Sequence, residues 1–286
     1  LLQKAGLSAY VGKVNMDRNS PEFLIEDTHQ SLADTKEWLE ASAQFGPLVK
    51  PIITPRFVPS CTSELMSGLG NLAEAYNVPV QSHLSENHGE IDWVAALHPE
   101  AANYTDVYYE HHLIGKVPTV MAHCIHLSDV EMDRMAETQT MVAHCPYSNV
   151  NLSSGIAPIR KLFERKIPIG LGSDISGGHI VSMAKVLTEA IGLSKMKWVE
   201  VDQTYVPLTL SEAFYMATKG GGKFFGKVGS FEKGCELDAL VIDDTTLFDP
   251  NERSLEERLE RWLYVGDDRH IVERYVAGKV APEPTN

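Results

Sequence analysis

Short apolar runs rich in β-branched residues recur from the start of the chain to about residue 174: AYVGKV, LVKPIIT, NVPVQSH, PTVMAHC, TMVAHC and IPIGLGSD. Most of them are separated by segments with helical periodicity, namely SLADTKEWLEASAQF, TSELMSGLGNLAEAYN, an amphipathic stretch from Ile91 onward, LSDVEMDRMAETQ and IAPIRKLFERK. Ser128 with Glu131, and Thr209 with Glu212 ahead of AFYMATK, have the spacing of capping boxes. Runs apolar nearly throughout suit parallel strands covered on both faces, so the pattern predicts repeated βα units. The expected fold class is α/β, a TIM-like (β/α)8 barrel, of which six strand runs are visible.

The pattern changes after Gly226. KVGSFEKGCELDALVIDD predicts two short strands set among turns, HIVERYVAGKV another strand and turn, and ERSLEERLERWL a charged amphipathic helix. Residues 1–226 are therefore expected to form the barrel, and residues 227–286 part of a small β-rich domain.

Charge narrows the partners. With 25 Lys and Arg against 39 Asp and Glu the net charge is −14, which repels phosphate backbones and anionic membranes and argues against nucleic-acid binding. A small neutral substrate remains compatible. No apolar run is long enough to cross a bilayer, and the first of these residues show no n-region, h-region and cleavage site, so no secretory leader is expected among them. Cys61, Cys124, Cys145 and Cys235 form neither a CxxC pair nor a disulfide framework, so a reducing, cytoplasmic setting is expected.

Polar residues gather at the ends of the predicted strands: Arg56 and Phe57 in TPRFVPSC, His83 and Glu86 in QSHLSE, His123 in MAHC, His144 in AHCPYSN and Asp174 in GLGSDISGG. In a β/α barrel the C-terminal strand ends form the active site, so these residues are candidates for one constellation. Seen alone, each has an ordinary reading: a loop or core histidine, a solvated carboxylate, a turn-capping aspartate, a surface arginine beside a core phenylalanine. Their repeated position favours chemistry. His83, His123 and Asp174 offer nitrogen and oxygen donors suited to zinc, with iron or manganese also compatible, and a metal ion there would make water nucleophilic at neutral pH. Glu86 is a carboxylate able to move protons. Arg56 and Phe57 present a donor fork and an apolar ring face to a planar polar ring. His126 precedes a helix cap and is a weaker ligand candidate; His144 is expected to orient a neighbour or fix its loop.

Together YVGKVNMD, ITPRFVPSC, QSHLSE, MAHC, AHCPYSN, GLGSDISGG and GSFEKGCELDALVID resemble the metal-dependent amidohydrolase superfamily, and within it the guanine deaminases, along essentially the whole chain. The resemblance implies a TIM-like barrel with a small β-sandwich, and hydrolytic removal of the 2-amino group of guanine to give xanthine and ammonia, a step of purine catabolism. It implies that His83 and Asp174 ligate Zn2+ and that His123 holds or orients the metal's water. Glu86 would exchange a proton with the ring nitrogen and Asp174 would shuttle one. Arg56, Phe57, His83, Glu86 and Asp174 would surround the purine, and the enzyme would be a homodimer.

The superfamily's HxH motif, which follows its first barrel strand, is absent from these residues. AYVGKV resembles the third strand, so an N-terminal portion carrying two further strand units is expected, and the present stretch by itself is expected to be inactive. Two other readings are compatible with the residues: a related deaminase of a pterin, a triazine or another purine, and a catalytically silent barrel acting as a structural or interaction subunit. A cytidine-deaminase fold is disfavoured, because its HxE and PCxxC pattern is missing.

Overall fold

The computed structural model describes residues 1–282. Residues 283–286 of the expected C-terminal domain lie outside the described residues. Eleven strands occur among the described residues: β1 Ala9–Val11, β2 Val14–Asn15, β3 Val49–Pro51, β4 Thr54–Pro55, β5 Val80–Leu84, β6 Thr119–His123, β7 Met141–His144, β8 Ile169–Leu171, β9 Ala239–Ile242, β10 Ile271–Val276 and β11 Lys279–Val280. Helices separate most of the first eight. This alternating β/α order with parallel pairing, followed by extra antiparallel strands, is the TIM-barrel-like class that the periodicity predicts.

By compactness the chain divides into one unit of residues 1–143 and 161–168 and a second of residues 144–160 and 169–286. In the first unit β1 pairs with β3 and β2 with β4, all parallel. AYVGKV and LVKPIIT therefore each break into two short strands. The break in the first falls at Gly12, where an added Cβ would collide with the Ile52 carbonyl and the Thr54 side chain. Only a residue without a side chain lets the two segments pass there.

Strands β5, β6 and β7 run parallel, with Val80 opposite Thr119 and Leu84 opposite His123. Both β5 and β6 alternate between buried and half-buried positions, which sends Val80, Ser82 and Leu84 to one face and Gln81 and His83 to the other. Helices Thr28–Ser42 and Ser63–Tyr76 pack together; Leu65, Met66, Leu69 and Ala73 of the second are buried. Truncating a core leucine of this kind to alanine typically costs about 2–5 kcal/mol. The Ser128–Glu131 capping box forms as its spacing predicts.

In the second unit β9, β10 and β11 make an antiparallel sheet with β10 central. Helix Leu255–Val265, opened by a Ser254–Glu257 capping box, buries Trp262 and Leu263. The Thr209–Glu212 box also forms. Several elements differ from expectation, two of them informatively. Of the two strands expected in 227–243, only β9 exists; residues 227–238 are turns and bends, because Gly229 and Gly234 adopt φ of +74° and +94°. Helix Met183–Met196 is the other: Ser182 stands at its N-cap but makes no side-chain capping bond, and no glutamate three residues on completes a capping box. No helix among the described residues is long and apolar enough to cross a membrane.

Candidate metal centre

His83 is the penultimate residue of β5, half-buried, and its Nδ1 lies 2.7 Å from the main-chain carbonyl of Arg56. A carbonyl oxygen can only accept, so Nδ1 carries the proton and the ring's lone pair sits on Nε2. That is the tautomer a metal ligand needs, held by a partner of the kind that orients ligating histidines. His123 ends β6 and is only 1% exposed. Its ring stacks against that of His83, with centroids 5.4 Å apart and planes inclined by 25°. The Glu86 carboxylate reaches within 3.7 Å of His123 Nε2.

Arg56 and Phe57 follow β4. The Arg56 guanidinium lies 5.4 Å from the Phe57 ring, and Trp93 meets that ring edge-on at 6.3 Å. Trp93, in helix His88–Leu97, carries no mark in the sequence, where an aromatic at helical spacing is ordinary packing. His126 faces His88 instead, ring centroids 4.0 Å apart. His144 is buried, and its carbonyl accepts the Gly172 amide at 2.9 Å, which ties the end of β7 to the residue after β8.

Asp174 stands in a tight turn. Its carbonyl accepts the Gly178 amide at 2.6 Å, and the Asn151 side chain donates to the Gly177 carbonyl at 2.7 Å. An added Cβ on Gly177 would come to 2.5 Å from Asp174 Oδ2 and 2.6 Å from Ser148 Oγ, so this glycine keeps space around the carboxylate. The backbone is unusual just past β5, at the end of β6 and past β8: Ser85, His123, Cys124 and Asp174 have φ of +50°, +70°, +52° and +45°. Non-glycine residues rarely adopt that left-handed region, and they concentrate at functional sites when they do.

One donor atom each from His83, His123 and Asp174 lies within 4.8 Å of the others. Two imidazoles and a carboxylate at that spacing fit a divalent cation, and the His83 tautomer fits it independently. Parallel β/α strands carrying such donors at their ends define a metal-binding hydrolase class. The chain belongs to the Amidohydrolase family, whose family model matches residues 2–281.

Particular relatives are closer. A guanine deaminase of Dictyostelium discoideum is 43% identical over 97% of this chain, and one of Escherichia coli is 38% identical over 95%. The crystal structure of guanine deaminase from C. acetobutylicum with guanine bound in its active site superposes with a TM-score of 0.95 at 53% identity, covering 98% of this chain and 67% of that one. The chain spans 63% and 62% of the length of the Dictyostelium and Escherichia coli relatives, a little under two thirds.

Proposed function

We propose that the protein is a guanine deaminase: it adds water at C2 of guanine and releases ammonia and xanthine. The observation that carries this reading is the clustering of His83, His123 and Asp174 in a chain so similar to a guanine-bound deaminase. His83, His123 and Asp174 would hold the ion, Zn2+ by donor type. A divalent ion held there supplies the Lewis acidity that makes water nucleophilic near neutral pH.

The residues divide the remaining work. Arg56 and Phe57 bind the purine, the guanidinium through its polar edge and the phenyl ring through its face. Glu86 gives a proton to the ring nitrogen beside C2 as the C–O bond forms, and Asp174 takes the proton lost by water. As the C2–N bond breaks, that proton goes to the departing amine, which leaves as neutral ammonia; Glu86 is restored from the ring nitrogen or solvent. His123, buried beside Glu86, would hold or orient the water that the ion activates.

A homodimer in the cytoplasm, and a division near residue 226 with residues 227–286 in a small β-rich domain, complete the proposal; the antiparallel sheet of β9, β10 and β11 supports the latter. The test is an assay of xanthine and ammonia with protein expressed from its whole gene and loaded with zinc, run against guanine, adenine, a pterin and an aminotriazine. Guanine turnover is expected. Its absence in metal-replete protein would sink the substrate assignment, and turnover of another heterocycle would replace it.

A further inference from the structure

The peptide plane that joins Ser85 to Glu86 is held on both edges. Its carbonyl accepts the amides of Ile125 and His126, each at 3.1 Å. Its N–H donates to Glu90 Oε2 at 2.8 Å. Glu90 lies one helical turn further on, in helix His88–Leu97, and is 6% exposed. A carboxylate so buried needs several donors, and the Tyr104 hydroxyl supplies another to Oε1 at 2.6 Å.

Glu90 resembles an ordinary capping glutamate, but its geometry is displaced. In the boxes at Ser128, Thr209 and Ser254 the glutamate accepts the N-cap amide at 2.9, 2.9 and 2.8 Å. Glu90 sits 3.4 Å from its own N-cap amide, that of Asn87, and makes its short bond to the residue before it. Capping alone does not call for that shift. The residue gained is Glu86, whose backbone must also continue from Ser85 in the left-handed region.

The support runs further. Burial pushes the phenols of Tyr104 and Tyr108 well above their ordinary pKa, so both remain protonated donors. The two rings stack with centroids 5.7 Å apart, and the Tyr108 hydroxyl donates to the His83 carbonyl at 2.8 Å. One aromatic pair thus braces Glu90 at one end and the backbone of His83 at the other.

We propose that Glu90 is a positioning residue for the deamination: by clamping the Ser85–Glu86 peptide from the side opposite Ile125 and His126, it aims the Glu86 carboxylate. This rests on the role given to Glu86 above. Glu90 is buried and lies outside the residues proposed to hold substrate and ion, so its loss should lower kcat and leave KM and bound metal unchanged.

The test compares three variants of the zinc-loaded protein expressed from its whole gene. Glu90→Asp keeps the charge but is a methylene too short to reach the Glu86 amide; misplacement of a proton-transfer group by about 1 Å predicts a kcat loss of about 10- to 100-fold. Glu90→Gln keeps the reach: its oxygen accepts the amide and its NH2 donates to the Tyr104 oxygen, so kcat should stay near wild type. Asn87→Ala removes the other half of the capping box and should leave kcat unchanged while weakening the helix. Equal kcat for Glu90→Asp and wild type, or an equal loss in Asn87→Ala, would overturn the proposal. If wild type turns over no guanine, the function reading fails instead, and amide hydrogen exchange over residues 85–88 decides the clamp. Faster exchange in Glu90→Asp than in Asn87→Ala supports it, and equal exchange overturns it.

Discussion

The proton on His83 Nδ1 points at the main-chain carbonyl of Arg56, 2.7 Å away. The main chain of Arg56 thus fixes the imidazole proposed to ligate the ion, while its side chain remains available for the proposed contact with the purine. Position 56 couples the two through backbone alone.

Arg56→Ala should therefore keep its metal. The carbonyl survives the substitution; only the guanidinium and its stacking on Phe57 are lost. A charged hydrogen bond contributes about 1.5–3 kcal/mol, so KM for guanine should rise about 10- to 100-fold. Steady-state kinetics with zinc stoichiometry by atomic absorption checks both halves. A loss of zinc in step with activity would show that the side chain supports the imidazole.

Glu86→Gln should remove turnover and leave the ion bound. Glutamine matches the volume but cannot cycle a proton, and loss of a general acid–base group typically lowers the rate about 10²- to 10⁴-fold. Undiminished guanine turnover would end the proton-transfer assignment.

Two glycines should answer alanine in opposite ways. At Gly177 the new methyl group would press on Asp174 Oδ2 and Ser148 Oγ, displacing the carboxylate, so zinc affinity should fall by about tenfold or more. At Gly192, inside helix Met183–Met196, an added Cβ meets nothing within 4 Å. There the gain in helix propensity should raise stability by about 0.5–1 kcal/mol. Competition with a chelator reads the first and urea unfolding the second; unchanged zinc affinity in Gly177→Ala would mean the turn relaxes.

Acid should loosen the second unit through Glu212. The Arg160 guanidinium grips its carboxylate at 2.6 and 3.0 Å, holding the pKa down at about 2 instead of the ordinary 4.5. A carboxylate with a lowered folded-state pKa stabilises above its ordinary value and loses that contribution as pH falls through the folded value. Unfolding curves should therefore show wild type losing stability between pH 4.5 and about 2 more steeply than Arg160→Met. Parallel pH slopes in the two proteins would refute this.

Periodicity carries the β/α order, since strands covered on both faces are largely apolar, and each of the six apolar runs up to residue 174 contains a strand. Polar residues at the ends of those runs mark His83, His123 and Asp174, whose donor atoms lie within 4.8 Å of one another. Other features left weaker traces. Gly12 divides a run that reads as one strand, because its role is a close approach to Ile52 and Thr54, distant in sequence. By residue type alone Glu90 and Tyr104 are indistinguishable from a helix cap and a core aromatic. The short bond from Glu86 to Glu90 depends on the backbone turn at Ser85, which residue types do not encode.

The left-handed backbone at Ser85, His123, Cys124 and Asp174 sets a limit on hardening this protein against heat. Glycine would relieve about 1 kcal/mol or more of strain at such positions. At two of them it would also delete a proposed ligand. Directed evolution scored on thermal survival alone would be drawn toward those substitutions and return a hardier fold with no chemistry left in it. Screening for turnover at every round would close that route and send the search to positions such as Gly192, where robustness and activity do not compete.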